Sequence, residues 1–277
     1  MQINESWARL MTLFHLFLVA VIQGITEFLP VSSSGHLILL PQLTGIEDQG
    51  QTIDVAVHIG TLLAVVLYFW KDVKAALAGT LRLVQGKIDT QGAFLALCLL
   101  IATLPVTVLG FIIHMADLSD MLRSTAVIGW MMLIFGVVLY WTDQKGETTK
   151  TTANWSLKDA IIMGLWQAVA LIPGTSRSGI TISGARLLGY AREDAARLAM
   201  LMSIPTIIAS GALLGADVAL GGSALIWRDA AIAASFAFIA ALLALTLMMR
   251  LLKSVSFTPY VIYRVILGFI LLVIAYT

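Results

Sequence analysis

Pro30-Val-Ser-Ser-Ser-Gly35 and Pro173-Gly-Thr-Ser-Arg-Ser-Gly179 each interrupt a long apolar stretch of this chain. The first motif lies within the stretch from Thr12 to Gly45, and the second lies within the stretch from Leu157 to Gly189. Proline lacks a backbone donor and glycine favours turns, so each motif ends a helix in the middle of its stretch. Each stretch is therefore predicted to form a helix, a break and a half-helix, and to return the chain to the side of the bilayer from which it started.

The composition predicts a membrane protein, because there are too few polar residues to cover a water-soluble globule. Of the 277 residues, 59% are hydrophobic and 12% are charged, and the mean hydropathy is +0.93. The net charge of +1 offers little positive potential to a nucleic-acid backbone, which excludes nucleic acid as the main partner. The single cysteine, Cys98, excludes an intramolecular disulfide and is expected to be a small buried hydrophobic residue.

Six further stretches are apolar enough to cross a bilayer, which takes about 20 residues of helix, give or take a few. They are Ile53 to Trp70, Ala93 to His114, Thr125 to Trp141, Ala195 to Asp217, Asp229 to Arg250 and Pro259 to Thr277. With the two broken pairs, they predict an all-α polytopic membrane protein that forms a single domain over residues 1–277.

Basic residues orient this arrangement, since Lys and Arg accumulate in cytoplasmic loops. The connections that follow Trp70, Trp141 and Met249 are rich in Lys and Arg and are predicted to lie inside. Alternation then places three loops outside, and these are Pro41 to Thr52, Asp117 to Arg123 and Val218 to Arg228.

The two halves of the chain, residues 1–150 and 151–277, each hold a broken pair followed by three spans. A broken pair returns the chain to its starting side, and three spans then carry it to the opposite side of the membrane. The second half therefore starts on the opposite side and is predicted to be inverted relative to the first. A repeated pattern supports this prediction, since Gln23 and Ser34-Gly35 match Gln167 and Ser178-Gly179 at one offset of 144 residues.

The central part of each broken pair contains one ionised side chain. It is Glu27 between Leu10 and Ile46, and Arg177 between Ala160 and Ala185. A charge at membrane depth costs about 2.5 to 3.5 kcal/mol on the insertion scale and needs a polar partner. Irregular backbone at that depth likewise persists only against protein or a watery cavity. The two breaks are therefore predicted to meet in one polar pocket.

The first break predicts an acidic wall of this pocket. Gln23 and Glu27 lie four residues apart and share one helix face. The side chains that follow this face are Ser32, Ser33, Ser34 and His36. Such groups hold a divalent metal or act on a proton, and a serine among them is a candidate nucleophile. The alternative is that the serines cap helices and the other side chains bond to neighbouring protein groups.

The second break predicts an anion-binding wall, because helix amino-terminal amides and an arginine together attract phosphate. Its predicted residues are Gly174, Thr175, Ser176, Arg177, Ser178 and Thr181. Together the two walls suit a lipid that carries phosphate or diphosphate and whose chain comes from the bilayer. Asp54 and His58 either join the outer mouth of the pocket or form a pair at the interface.

The two breaks lie in segments that form a pair of motifs. These segments are Gln23-Gly-Ile-Thr-Glu-Phe-Leu-Pro-Val-Ser-Ser-Ser-Gly-His36 and Pro173-Gly-Thr-Ser-Arg-Ser-Gly-Ile-Thr181. Together they resemble the paired signature of the bacterial undecaprenyl-diphosphate phosphatases of the BacA/UppP family. Length and span pattern fit too, so the resemblance covers essentially the whole chain. It implies an enzyme of the bacterial inner membrane that hydrolyses undecaprenyl diphosphate, recycles the carrier lipid for cell-wall synthesis and is associated with bacitracin resistance. It also implies a divalent cation, Mg²⁺ or Ca²⁺, as the cofactor, and it leaves a homodimer open.

By the same resemblance, Ser33 is the nucleophile, His36 orients it or moves a proton, and Arg177 neutralises charge on the phosphoryl group. The acidic motif falls on Gln23 and Glu27, which are the expected metal ligands. Only one of these two is a carboxylate, so another residue or the oxygens of the substrate must complete the metal shell. Attack by a metal-bound water in place of the serine stays open. The recycling role of the family favours a site that faces the outer side.

Three other classes compete with the phosphatase. A transporter or flippase of a phosphorylated polyprenyl lipid is the nearest, since opposed broken helices in inverted repeats are typical of alternating access. An intramembrane serine protease would use Ser34 and His36 as nucleophile and base, but it has no evident use for Arg177. A purely structural subunit leaves the buried Glu27 and Arg177 unexplained.

Overall fold

A computed structural model describes residues 5–44, 50–116, 124–218 and 224–277 of the chain. Within these ranges the secondary structure is helical, and no β-strand is formed beyond an isolated bridge between Lys150 and Tyr190. The α-helices, numbered in chain order, are α1 (Glu5–Thr26), α2 (Ser33–Thr44), α3 (Gln51–Tyr68), α4 (Trp70–Val84), α5 (Gln91–Met115), α6 (Thr125–Lys145), α7 (Leu157–Ala168), α8 (Arg177–Leu187), α9 (Arg192–Val218), α10 (Ala224–Leu251) and α11 (Thr258–Tyr276).

Six of these helices are long and apolar enough to cross a membrane, which confirms the six predicted spans. They are α3, α5, α6, α9, α10 and α11, and each agrees with its predicted stretch to within a few residues. The described residues therefore form an all-α polytopic membrane protein. Cys98 lies on α5 and is fully buried, as expected from its apolar surroundings.

The connection after α3 was predicted only as a charged inner loop, but it contains the helix α4. The charged side chains of Lys71 and Lys74 are exposed on this helix. Gly79 is buried against α5, where a Cβ atom on Gly79 would collide with the backbone of Gly92. A helix of 15 residues with charges along its exposed face is too short and too polar to be recognised as a span.

Both broken pairs have the predicted order of helix, break and half-helix. The first break lies between the end of α1 at Thr26 and the start of α2 at Ser33. The second lies between α7, which is followed by a short 3₁₀ turn at Val169–Leu171, and α8. Ser32 and Ser176, the last residues before the two half-helices, both have a φ angle of 69°. This left-handed conformation is unusual for serine and turns the backbone sharply into each half-helix.

Spanning helices surround the two broken pairs. Helix α1 packs against α3 and α10, and α7 packs against α5. The half-helix α2 contacts α6 and α11, while α8 contacts α6, α7 and α9. Small residues permit close contact, since a Cβ on Gly24 of α1 would lie 2.7 Å from the carbonyl oxygen of Ala237 on α10. The bundle thus holds both breaks in its interior.

The inverted relation between residues 1–150 and 151–277 stays a prediction, as does the division of the chain at that point. Of the loops predicted to lie outside, Asp117 to Arg123 falls outside the described residues. Parts of Pro41 to Thr52 and of Val218 to Arg228 fall outside them too. The described part of the last loop includes the first turns of α10, which begins at Ala224.

Candidate active site

The tips of the two broken pairs contact each other through hydrogen bonds that join distant parts of the sequence. The backbone N–H of Gly174 donates to Ser34 Oγ at 3.1 Å. The hydroxyl of Ser178 donates to the carbonyl oxygen of Leu29 at 3.0 Å. Arg177 Nη2 donates to Glu27 Oε1, and this ion pair connects the lone charges of the two breaks. The structure therefore places both breaks in one polar region.

The carboxylate of Glu27 is the centre of this region. Its Oε2 atom accepts a hydrogen bond from Gln23 Nε2 at 2.6 Å and one from Ser33 Oγ at 3.3 Å. The Glu27 side chain is only 7% exposed and that of Arg177 is 18% exposed. Gln23 and Glu27 share one face because the N–H of Glu27 still donates to the carbonyl of Gln23, at 2.9 Å. Ser33 is thus bonded to a buried carboxylate that an arginine holds in place.

A cavity of about 810 Å³ opens beside these side chains. Both breaks line it, and their residues in its wall include Gln23, Glu27, Ser32, Ser33, Ser34, Pro173, Gly174, Ser176 and Arg177. The remaining wall comes from the ends of four spans, with Asp54 and His58 on α3, His114 on α5, Ile128 on α6 and Ser210 on α9. Apolar residues of α2, Leu37 and Ile38, also line it. The cavity therefore combines a polar floor with an apolar side that suits a lipid.

The second break divides into residues that face the cavity and residues that support them. Gly174, with a φ angle of 91°, packs so closely on α6 that a Cβ would collide with the carbonyl oxygen of Ile128. Ser176 caps α8 by accepting the N–H of Gly179 at 3.2 Å. Thr181, at 1% exposure, donates its hydroxyl to the carbonyl of Arg177 at 2.8 Å.

Three residues of the predicted phosphate wall, Thr175, Ser178 and Thr181, are buried and are not among the residues that line the cavity. The hydroxyls of Ser178 and Thr181 are used in contacts within the fold, to Leu29 and Arg177. The hydroxyl of Thr175 has no hydrogen-bond partner among the described residues. These side chains shape the second break from behind, while Gly174, Ser176 and Arg177 form its cavity surface.

His36 is placed away from Glu27. Its Nδ1 lies 2.7 Å from the carbonyl oxygen of Ser32, and its Nε2 lies 2.7 Å from the hydroxyl of Tyr263 on α11. The two rings are stacked with their centroids 5.5 Å apart. A carbonyl oxygen only accepts, so Nδ1 carries a hydrogen, and in the neutral ring Nε2 then accepts from the hydroxyl of Tyr263. His36 thereby ties the start of α2 to α11, and its ring does not form the pair with Ser34 that a serine protease needs.

Sequence reasoning left two places open for His58, and the structure puts this residue in the pocket, whereas it missed Arg264 altogether. His58 lies beside the acidic motif, with Nε2 3.1 Å from Gln23 Nε2 and 3.8 Å from Glu27 Oε2. Arg264, on α11, is completely buried and contacts the backbone of both breaks. Arg264 carries the one formal charge between Thr258 and Tyr276, and a lone charge in a span is a functional signal that the sequence did contain.

The donor atoms partly fit a hard divalent cation. Gln23 Oε1 is buried and has no hydrogen-bond partner among the described residues, so it is available as an oxygen ligand beside the Glu27 carboxylate. No group of three or more His, Cys, Asp or Glu side chains that could hold a metal is found in the described part of the chain. These oxygens therefore fit a Mg²⁺ or Ca²⁺ ion whose shell is completed by substrate phosphate and water, and not a cage built by the protein alone.

Comparison with known proteins agrees with this architecture. The family model of the bacitracin resistance protein BacA matches residues 16–270. A protein of Dinoroseobacter shibae named undecaprenyl-diphosphatase is 72% identical over 96% of this chain and 100% of its own length. Proteins with the same name from Roseobacter denitrificans and Chromohalobacter salexigens are 70% and 44% identical, over 96% and 94% of this chain and 100% and 97% of their own lengths. With nearly its whole length matched, the chain belongs to the BacA family of bacitracin resistance proteins.

Proposed function

We propose that this chain is an undecaprenyl-diphosphatase, which hydrolyses undecaprenyl diphosphate to undecaprenyl phosphate and inorganic phosphate. Relatives as similar as 72% over nearly the whole chain carry that name. The observation that carries the proposal is the contact between Ser33, Glu27 and Arg177 at the wall of one cavity. A nucleophile, a base and a phosphate-binding cation are the groups that phosphoryl transfer needs.

In the proposed mechanism, Ser33 Oγ attacks the terminal phosphorus and gives its proton to Glu27, to which it is already hydrogen-bonded. The bond between the terminal phosphorus and the bridging oxygen breaks, and undecaprenyl phosphate leaves. Water then attacks the phosphoserine, which releases inorganic phosphate and restores Ser33. Direct attack by water is the alternative, and the variant described below separates the two.

Positive charge stabilises the phosphoryl group during both steps. Arg177 uses one nitrogen to hold Glu27, and its remaining N–H groups are available to phosphate oxygens. Ser33 is the first residue of α2 and Arg177 is the first residue of α8, so the positive ends of two helix dipoles point toward the same region. His36 contributes by holding the turn at Ser32, through its bond to that carbonyl.

A divalent cation would be held by Glu27 and Gln23 Oε1 together with the diphosphate, and would supply further neutralisation of the phosphate charge. Gln23 is fixed for this task because its Nε2 donates to Glu27, which leaves Oε1 as the free oxygen. The side chains of the protein that act in the reaction are those of Ser33, Glu27 and Arg177.

We place the active site on the outer side of the bacterial inner membrane. Supporting this, the residues that complete the cavity lie at the ends of spans that the basic loops predict to be outside, including Asp54, His114 and Ser210. A homodimer stays a prediction from the family resemblance, and the mass of the purified protein in detergent would test it.

Transport of a phosphorylated polyprenyl lipid is the second candidate. A second cavity, of about 890 Å³, lies at the opposite ends of α3, α9 and α10, and its wall includes Lys71, Arg192, Arg197 and Lys253. Alternating access opens one central site to each side of the membrane in turn, and a cavity at each end of the bundle is compatible with such a path. Movement of the lipid across vesicles without phosphate release would favour this candidate over hydrolysis.

Phosphate release from undecaprenyl diphosphate by the purified protein tests the proposed function, with and without a chelator. We expect the wild type to release phosphate, Ser33→Ala to be inactive, and the chelator to reduce the rate. Ser235→Ala is the matched control, because Ser235 is exposed on α10 and its hydroxyl, within the described part of the chain, bonds to the carbonyl of Ala231 in the same helix. Activity of Ser33→Ala equal to that of the control would remove Ser33 as the nucleophile, and an inactive wild type would contradict the proposed function.

A further inference from the structure

Arg264 contacts both breaks at once. Its Nη2 donates to the carbonyl oxygens of Gly174 and Thr175, at 3.1 and 2.9 Å. Its Nη1 donates to the carbonyl oxygen of Pro30 at 3.4 Å. Its Nε reaches the carbonyl oxygen of Met132 on α6, also at 3.4 Å. One side chain on α11 therefore connects the first break, the second break and a neighbouring span.

The environment of Arg264 lacks the usual partner of a buried charge. The residue is 0% exposed, and no acidic side chain in the described ranges forms an ion pair with it. An uncompensated buried charge is costly, so its hydrogen bonds must offset the loss of water. The breaks supply them, because carbonyl groups that have left the helical pattern need donors at a depth where lipid provides none.

The shape of the side chain suits this task. A guanidinium presents five N–H groups in a rigid plane and can donate in several directions at once. An ammonium group is a point charge on a flexible stem and does not reproduce that fork. Arg264 thus has the geometry to fix the separation of Pro30 from Gly174 and Thr175, whereas lysine at this position does not.

We propose that Arg264 is a positioning residue for the reaction, which holds the two tips so that Ser33, Glu27 and Arg177 stay in contact at the wall of the cavity. This inference rests on the proposed function. Pro30 lies three residues before Ser33, and Thr175 lies two residues before Arg177, so the carbonyls that Arg264 binds belong to the turns that carry the reacting groups. Arg264 itself is not among the residues that line the cavity.

Arg186 provides a matched control. It is also buried, at 1% exposure, and also donates to backbone carbonyls, those of Asp143, Gly146 and Glu147. It differs because it lies at the far end of α8 and pairs with the carboxylate of Asp143 at 3.2 Å. Substitution of either arginine removes a buried guanidinium, but only Arg264 joins the two breaks.

The first test compares Arg264→Lys with Arg186→Lys in the phosphate-release assay, with kcat and KM measured separately on folded protein. We expect Arg264→Lys to lower kcat by about 100-fold, as misplacement of reacting groups by 1 Å can do. We expect KM to change much less, and Arg186→Lys to keep a kcat near that of the wild type. Equal kcat values for the two variants would overturn the positioning role. An inactive wild type would contradict the proposed function instead.

The second test moves the guanidinium without removing it. A Cβ atom on Gly179 would lie 2.8 Å from Arg264 Nη1, so Gly179→Ala displaces the group. Gly211→Ala, on α9, is the control because a Cβ there meets nothing within 4 Å. We expect Gly179→Ala to lower kcat, and the double variant with Arg264→Lys to be no slower than the slower single variant. Unchanged kcat in Gly179→Ala, or effects that multiply in the double variant, would overturn the inference even if Arg264→Lys fails to fold.

Discussion

At the scale of single residues, the lone charges were the most informative part of the sequence. Glu27 and Arg177 stand alone in apolar surroundings, and the cost of isolation correctly indicated that each has a polar partner. The orientation of His36 was not accessible in the same way, because it depends on Tyr263, 227 residues away in the sequence. Arg264 was overlooked although it satisfied the same criterion as Glu27 and Arg177.

Arg177→Lys tests the role of the guanidinium that contacts Glu27. Lysine keeps the charge but cannot hold Glu27 and bind phosphate oxygens in two directions at once, so we expect kcat/KM to fall by about 100-fold or more. Steady-state phosphate release is the measurement. Arg228→Lys is the control, since Arg228 is 45% exposed and, among the described residues, pairs with the adjacent Asp229 alone. Similar kinetics for the two variants would remove Arg177 from the phosphate site.

At the scale of elements, periodicity and length predicted the spans, whereas the breaks were predicted from residue type. Proline, serine and glycine located both interruptions, and the structure adds that Ser32 and Ser176 adopt the same left-handed conformation. Their separation equals the offset of 144 residues found in the motifs, while the inverted relation of the two halves stays a prediction. Helix α4 could not be predicted by these criteria, because it packs against α5 and does not need the length of a span.

Gly174→Ala tests how closely the second break must pack. Alanine is strained at a φ angle of 91°, and its Cβ would also collide with the carbonyl of Ile128. Gly86→Ala is the control, because Gly86 has a φ angle of 71° but a Cβ there meets nothing within 4 Å. Strain alone costs roughly 1 to 3 kcal/mol, so thermal unfolding in detergent should show a larger loss of stability for Gly174→Ala. Equal decreases of Tm in Gly174→Ala and Gly86→Ala would mean that the close packing of Gly174 on α6 does not contribute to stability.

At the scale of the whole molecule, the bundle brings into contact two tips that are far apart in sequence. Composition predicted a membrane protein, and the number of spans predicted that both broken pairs lie within a helical bundle. What the sequence could not predict is the detailed placement of each hydroxyl, since Ser34 contacts Gly174 whereas Ser178 contacts the backbone at Leu29. These contacts depend on the packing of α6 and α11 against the half-helices of the two broken pairs. No local sequence pattern encodes this packing.

Cross-linking in native membranes tests most directly whether the two tips touch. Cysteines at Leu29 and Ser178 replace two residues that contact each other through the Leu29 backbone carbonyl oxygen and the Ser178 hydroxyl, 3.0 Å apart. The background carries Cys98→Ser, which removes the natural thiol. Cysteines at Leu29 and Lys253 are the control pair, since Lys253 lines the cavity at the opposite end of the bundle. We predict that a short bifunctional thiol reagent joins the first pair and not the second. Failure to join the first pair, with both thiols shown to be reactive, would contradict the account.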